Sequence, residues 1–158
     1  MTLRYHSPLS PPEQLAAGLA TPQTLALADR VRYAELDILH HVNNKSYMGW
    51  FETLRVAHFD MFCARHFAPN GKPRLVLRNA NMQFIREMVM GEDYVATARV
   101  SAFRTTSYTL EQQLWSGDLR ATLTAVMVLL TPDGAGRMPL PASLRQQFEQ
   151  QEGASPPA

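Results

Sequence analysis

Residues 31–51 read VRYAELDILHHVNNKSYMGWF, and this stretch decides the fold. A strand-like pattern ends in ionisable residues that include Asp37 and His41, and an apolar, aromatic-rich helical pattern begins at the Asn43-Asn44 pair. The N–H groups in the first turn of a helix lack partners and lie at the positive end of the helix dipole, so they favour an oxyanion. The junction therefore predicts a carboxylate beside a site that stabilises negative charge.

The helical pattern runs from Asn44 to about Arg65 and is the strongest in the chain. Its apolar side chains recur at steps of three and four residues, as expected for one face of a helix. They are Tyr47, Trp50, Phe51, Leu54, Ala57, Phe59, Met61 and Phe62. A face this wide predicts a helix that is buried on more than one side.

Five segments outside this helix are typical of strands: residues 25–33, 81–88, 94–103, 108–115 and 119–131. Most of them alternate apolar and polar residues, and the short connections between them make successive strands antiparallel. A sheet and a helix that each need to bury an apolar face pack best when the sheet curves around the helix. The sequence therefore predicts an α+β domain over residues 26–132, with an antiparallel sheet of about five strands wrapped around one long central helix.

The two ends of the chain lie outside this predicted domain. Residues 1–25 have helix-start chemistry at Ser10-Pro11 and predict an N-terminal extension with a short helix that continues to about Ala20. Residues 133–158 predict a short helix at about 142–150, followed by a polar, disordered tail.

Composition limits the classes of protein to which the chain can belong. It has 158 residues, 46% of them hydrophobic, and a formal net charge of +1, which gives no basic surface for nucleic acid or an acidic membrane. No segment is apolar over the roughly 18 residues that a transmembrane helix needs. The first residues lack a signal-peptide pattern, and the single cysteine, Cys63, excludes an internal disulfide. We therefore expect a cytoplasmic protein.

Residues 35–47, ELDILHHVNNKSY, resemble a known signature. It is D-x-D-x-x-G-H-V-N-N-x-x-Y, from the 4-hydroxybenzoyl-CoA thioesterase-like branch of the hot-dog fold. Plant-type fatty acyl-ACP thioesterases carry a nearer variant, with Tyr-x-Gly-Trp where this chain has Tyr47 to Trp50. Two positions depart from these patterns. His40 replaces the usual glycine, and Leu39 stands where the acyl-ACP branch has asparagine, which favours a simpler mechanism with one carboxylate.

The resemblance implies a hot-dog fold and a thioesterase of fatty acid metabolism that hydrolyses an acyl-CoA or acyl-ACP thioester to the free acid and the thiol. It implies no metal and no cofactor beyond the CoA or phosphopantetheine arm of the substrate. It also implies a homodimer or tetramer with the active site at the subunit interface, which agrees with the open sheet edge that the strand pattern predicts.

The resemblance assigns the acid/base position to Asp37, either as general base for water or as a nucleophile that forms a transient anhydride. An aspartate that only caps the helix or pairs with an arginine is the alternative. The family's oxyanion donor, a main-chain N–H at the first turn of the helix, corresponds to Asn44. Asn43 is a substrate-site candidate, and we expect either Asn43 or Asn44 to be the N-cap of the helix.

The remaining site candidates have weaker support. His41 either polarises the thioester carbonyl or orients Asp37, or it is a structural histidine. Tyr47 lines the acyl pocket or belongs to the core. Four residues near strand ends are suited to the phosphates of CoA or of a carrier-protein arm: Arg86, Arg104, Thr106 and Ser107.

Other activities fit the sequence less well. No Gly-x-Ser-x-Gly motif is present, and the histidines lack the spacing of a zinc site. Three alternatives stay open: a catalytically silent hot-dog module that binds an acyl thioester or a protein, a hot-dog dehydratase, and, as the weakest, an RNA-binding module that uses the arginine-containing strand at residues 74–86.

Overall fold

Five antiparallel strands form one sheet in the order β1-β3-β4-β5-β2. The structure, a computed structural model, describes residues 2–68 and 71–158. The strands are β1 (Leu25–Arg30), β2 (Arg74–Phe84), β3 (Asp93–Phe103), β4 (Ser107–Ser116) and β5 (Asp118–Leu130). Gly117 makes the tight β4–β5 turn at a φ of 76°, a conformation that glycine adopts without steric strain.

Three α-helices accompany the sheet: α1 (Pro11–Ala16), α2 (Asn44–His58) and α3 (Ala142–Glu152). Helix α2 continues through one π-helical turn and one 3₁₀ turn as far as Phe67, close to the predicted end at Arg65. Phe51 and Leu54 of α2 are buried against Leu110 and Leu123 of the sheet, among other core residues. The predicted α+β architecture, a sheet wrapped around one long helix, is confirmed.

Strand β2 differs from its predicted position. The alternating pattern indicated a strand at residues 81–88, whereas β2 ends at Phe84. The ladder stops there because Ile85 N–H and Arg86 N–H both donate to the carbonyl of Arg120. The chain then turns toward the junction before α2, where Met88 accepts from Val42 N–H. Of residues 85–88 only Met88 is buried, so the alternation past Phe84 does not correspond to one buried face of a strand.

The N-terminal segment adds a short parallel partner to the edge of β1. His6 N–H donates to the carbonyl of Ala28, and Leu9 N–H donates to that of Ala26. Leu9 and Leu19 close a small second apolar cluster on this side of the sheet. Helix α1 is shorter than predicted, since Gly18 breaks it at a φ of 98°.

The segment after α3 was predicted to be disordered, but its first residues are hydrogen-bonded. Ser155 N–H donates to Ser101 O, and Phe103 N–H donates to Ser155 O. The sequence pattern missed this contact because it depends on β3, which extends beyond β1 and leaves its last residues open for pairing. The division of the chain at residues 25 and 132 stays a prediction.

Within the described residues, β2 pairs only with β5, so its outer edge is open. Val76, Leu77 and Phe84 of β2 each expose two fifths or more of their surface. Among the residues that the structure describes, no helix has the length and apolar character that crossing a membrane requires.

Candidate active site

The segment before α2 folds into a small hairpin. Leu36 pairs with Val42, and Asp37 N–H donates to the carbonyl of His41 at 2.8 Å. His40 lies at the turn with a φ of 60°, in the left-handed region that favours glycine. The glycine that the related signatures carry at this position is explained by that conformation, which histidine also adopts here.

The hairpin holds the carboxylate of Asp37 through main-chain groups. Asp37 Oδ1 accepts hydrogen bonds from Leu39 N–H at 2.8 Å and from His41 N–H at 3.3 Å. Asp37 is exposed and forms no ion pair within residues 2–68 and 71–158. It therefore caps its own hairpin turn. The alternative interpretation required Asp37 to cap the helix or to pair with an arginine, and it makes neither contact among the described residues.

The N-cap of α2 is Asn43, as its residue type indicates. Its side-chain oxygen accepts from Ser46 N–H at 2.8 Å, and its own N–H donates to the carbonyl of Glu35. The side chain is thus committed to capping and is buried. Among the described residues, no acceptor receives the N–H of Asn44, the first residue of the helix. This donor remains available to a ligand.

An open cavity of about 440 Å³ lies beside these groups. Five of the nine site candidates line it: Asp37, His41, Asn44, Tyr47 and Arg86. Phe84, Ile85 and Glu87 line it as well. Asn43, the N-cap of α2, does not line this cavity. Arg104, Thr106 and Ser107 do not reach the cavity in this chain; they line a second cavity.

Aromatic side chains form the apolar wall of the first cavity. The rings of Tyr47 and Phe84 meet edge to face at 5.4 Å, and Trp50 contacts Tyr47 on its other side and stacks on Tyr94 at 4.3 Å. Burial raises the pKa of the Tyr47 hydroxyl, so this residue is a neutral phenol near pH 7. An apolar group that enters the cavity meets Phe84 and Tyr47 first.

Sequence reasoning missed the role of Glu35. Its carboxylate accepts from Trp50 Nε1 at 3.0 Å and from Arg32 N–H at 2.8 Å, while its carbonyl receives Asn43 N–H. One residue thus ties the hairpin that carries Asp37 to the helix that carries Asn44. The 15-residue separation of Glu35 and Trp50 gives no periodic signal in the sequence.

Arg86 lies at the rim of the first cavity and already has a partner. Its guanidinium forms an ion pair with Asp118 at 2.9 Å. Arg120 and Arg86 together lower the pKa of the Asp118 carboxyl. A phosphate bound by Arg86 therefore competes with an internal carboxylate.

The second cavity is larger, at about 730 Å³, and is lined by Arg78, Arg104, Arg137 and the hydroxyl residues Thr105 to Ser107. Across the described chain these three arginines have no acidic partner within 4.0 Å. Their charges are uncompensated, which suits a polyanion.

Other groups do not form a reactive centre. Cys63 Sγ lies 4.0 Å from His58 Nδ1, and His58 Nε2 lies 2.9 Å from Glu152, but the thiol is fully buried and its pKa is raised by that burial. The described residues contain no cluster of three acidic, histidine or cysteine side chains able to hold a metal ion.

Comparison with known proteins agrees with this geometry. The model of the thioesterase-like superfamily matches residues 31–148. A crystal structure of a thioesterase superfamily protein from Jannaschia sp. is 41% identical, with 97% of this chain and 98% of that one covered and a TM-score of 0.87. No curated protein matches the chain.

Two more distant structures share the fold. A thioesterase from Thermus thermophilus, in complex with coenzyme A and zinc, is 22% identical over 80% of this chain and 98% of that one, with a TM-score of 0.68. A 1,4-dihydroxy-2-naphthoyl-CoA thioesterase from Synechocystis is 14% identical over 80% and 96%, with a TM-score of 0.65. The match over residues 31–148 includes the hairpin, α2 and strands β2 to β5, and the chain belongs to the thioesterase-like superfamily.

Proposed function

We propose that the protein hydrolyses an acyl-CoA thioester at the cavity lined by Asp37 and Asn44. The observation that carries this proposal is the pairing of a positioned carboxylate with an unused main-chain donor at the start of a buried helix. Thioester hydrolysis needs these two elements, a group that activates the nucleophile and a donor for the oxyanion.

The proposed mechanism uses the free N–H of Asn44 and the carboxylate of Asp37. The N–H of Asn44 donates to the thioester carbonyl oxygen, and the helix dipole adds to the stabilisation of the oxyanion. Asp37, held through Oδ1, takes a proton from water as the water oxygen attacks the carbonyl carbon. The tetrahedral intermediate then expels the thiolate, which receives that proton. A direct attack by Asp37 on the carbonyl carbon would expel the thiolate and give an anhydride that water cleaves afterward. Label from heavy-oxygen water that enters Asp37 in one turnover would identify this route, because general-base catalysis places label only in the product acid.

His41 and the aromatic wall complete the proposed site. His41 lines the cavity, and we assign its ring the role of donor to the carbonyl or to the leaving sulfur. Phe84 and Tyr47 receive the first carbons of the acyl group.

The CoA moiety requires the second cavity, and a homodimer brings the two together. Along β2, the Asp37 cavity lies at the Phe84 end, whereas Ser107 pairs through Val128 with Val76 near the opposite end. If the open edges of two β2 strands pair antiparallel, the Phe84 end of one copy meets the Arg74 end of the other. Arg104, Thr106 and Ser107 of the partner subunit then lie toward the same end of the joined sheet as the Asp37 cavity. The coenzyme A complex of the Thermus thermophilus protein supports CoA as the carrier of the acyl group.

Thiol release from a panel of short, medium, long-chain and aromatic acyl-CoAs tests the proposal. We expect Asp37→Asn to reduce kcat by roughly 100- to 10,000-fold, the range for loss of a general base. Asp60→Asn is the matched control, because Asp60 is an exposed aspartate that pairs only with Lys72.

Activity that survives in Asp37→Asn would overturn the assignment of Asp37. A wild-type protein that is inactive on the CoA panel and on the same acyl groups carried by acyl carrier protein, yet binds them, would establish the silent binding module instead.

A further inference from the structure

The second cavity lies on the face of the sheet turned away from α2. Its floor is a row of residues paired across four strands: Ala102, Thr109, Val126 and Asn79. Their neighbours Phe103 and Tyr108 are buried in the core, so this row faces the opposite side. We call this cavity the arginine trough, after Arg78, Arg104 and Arg137 along its length.

Residues 153–158, which we call the C-terminal strap, follow α3 and reach the arginine trough. The strap begins at Gly153, which ends α3 at a φ of 67°. Ser155 then pairs in parallel with Ala102 at the end of β3. From there, residues 155–158 line the trough.

The start of the strap is held firmly by buried polar contacts. Glu152, the last residue of α3, accepts hydrogen bonds from Val100 N–H and from His58 Nε2, both at 2.9 Å. Its carbonyl accepts from Arg99 at 3.0 Å. Because this anchor is buried and its hydrogen bonds come from α2 and β3, it fixes the point at which the strap begins.

The tip of the strap has a chemistry unlike that of the rest of the trough. Pro156 and Pro157 carry no N–H donor, restrict the backbone to extended conformations and present apolar ring faces. The lining of the trough also includes the three arginines that have no acidic partner among the described residues. The trough thus combines cations for phosphate with a stiff apolar wall, which is the combination that a nucleotide needs for its phosphates and its flat base.

We propose that the C-terminal strap is a specificity element for the nucleotide of CoA: the arginines bind its phosphates and the prolines pack on its adenine. The inference rests on the proposed function. It deepens that function, because a carrier-protein thioester has a phosphopantetheine arm without a base and would gain nothing from the prolines. The family match ends at residue 148, so the strap lies beyond the segment that the superfamily model describes.

Calorimetric titration with CoA, its nucleotide portion 3′-phospho-ADP, and phosphopantetheine tests the proposal without requiring catalysis. One variant, Pro156→Gly/Pro157→Gly, removes both rings and keeps the chain length, and a second, Pro157→Asp, adds a carboxylate to the wall of the trough. Residues 156–158 are exposed and form no backbone hydrogen bond within the described chain, so the fold should persist. Gln151→Ala, on the exposed side of α3, is the control.

We expect Pro156→Gly/Pro157→Gly to raise the Kd for CoA and for the nucleotide roughly fivefold, the effect of leaving about 40 Å² of apolar surface in water. Pro157→Asp should weaken both further, while the Kd for phosphopantetheine stays within twofold. In turnover, KM for an acyl-CoA should rise with kcat unchanged, and KM for the same acyl-pantetheine should not move.

Equal affinity of wild type and both variants for CoA would overturn the role of the strap, as would a wild type that does not bind the nucleotide. Failure of the proposed function is visible separately, as a loss of Asp37-dependent hydrolysis of acyl-pantetheine, a substrate that does not reach the trough.

Discussion

Replacing Asn44 by proline removes one hydrogen-bond donor from the proposed oxyanion site and little else. Proline has no N–H, and it is well tolerated at the first position of a helix, which Asn44 occupies. The preceding residue, Asn43, has φ −73° and ψ 151°, the extended conformation that proline requires before it. The substitution is therefore compatible with the backbone as it stands.

The magnitude follows from the hydrogen-bond inventory. Since the Asn44 N–H has no acceptor among the described residues, its loss breaks no internal hydrogen bond, and the free energy of unfolding should change by less than about 1 kcal/mol. An oxyanion donor, in contrast, contributes about 3–4 kcal/mol to the transition state. We expect kcat to fall roughly 100- to 1,000-fold while KM stays nearly constant, because the bond strengthens only as the oxyanion forms.

Asn44→Ala is the matched variant, because it removes the side chain and retains the main-chain N–H. The assay compares kcat and KM for the best acyl-CoA across wild type, Asn44→Pro and Asn44→Ala, with urea unfolding of each. Comparable kcat in Asn44→Pro and wild type would refute the main-chain oxyanion site. An equal loss in both variants would assign the effect to the side chain and refute it as well.

Two further predictions concern the buried contacts of α3 and of the thiol. Glu152→Ala leaves His58 Nε2 and the N–H of Val100 without a partner, and the side chains of His58 and Glu152 are only 0–1% exposed, so the free energy of unfolding should fall by about 3–5 kcal/mol at a fixed protein concentration. Glu152→Gln, which retains an acceptor, should lose less. A loss under about 1 kcal/mol in Glu152→Ala, measured by urea unfolding, would contradict this prediction. Cys63 is fully buried and burial raises the pKa of its thiol, so a thiol reagent at pH 8 should label it only after denaturation. Rapid labelling of the native protein would contradict this prediction and show that the segment after α2 opens.

The central helix and the junction before it were predictable because their signals are local. The three- and four-residue spacing of aromatic side chains identified α2, and its start at Asn44 agrees with the predicted boundary. The capping role of Asn43 depends only on the next three residues, since its side chain accepts from Ser46 N–H. Interactions between residues within one helical turn can be predicted from residue type and spacing.

Features that depend on distant partners were predicted less well. The end of β2 at Phe84 is set by a carbonyl from β5, and the ordered strap is set by the exposed end of β3. Likewise, Arg104 and Arg86 both suit a phosphate by residue type, yet one lies in an uncompensated trough and the other pairs with Asp118. The charge of an arginine is readable from sequence, but its neighbours in space are not.

The two departures from the family signature bear on the carboxylate in a way that the sequence alone did not reveal. Asp37 Oδ1 is held by the N–H groups of residues 39 and 41, not by their side chains. Leu39 directs most of its side chain to solvent, and His40 contributes a left-handed backbone that a glycine would adopt with less strain. Any residue that permits this turn would hold the carboxylate in the same way. The changes at positions 39 and 40 therefore leave intact the main-chain contacts that position Asp37.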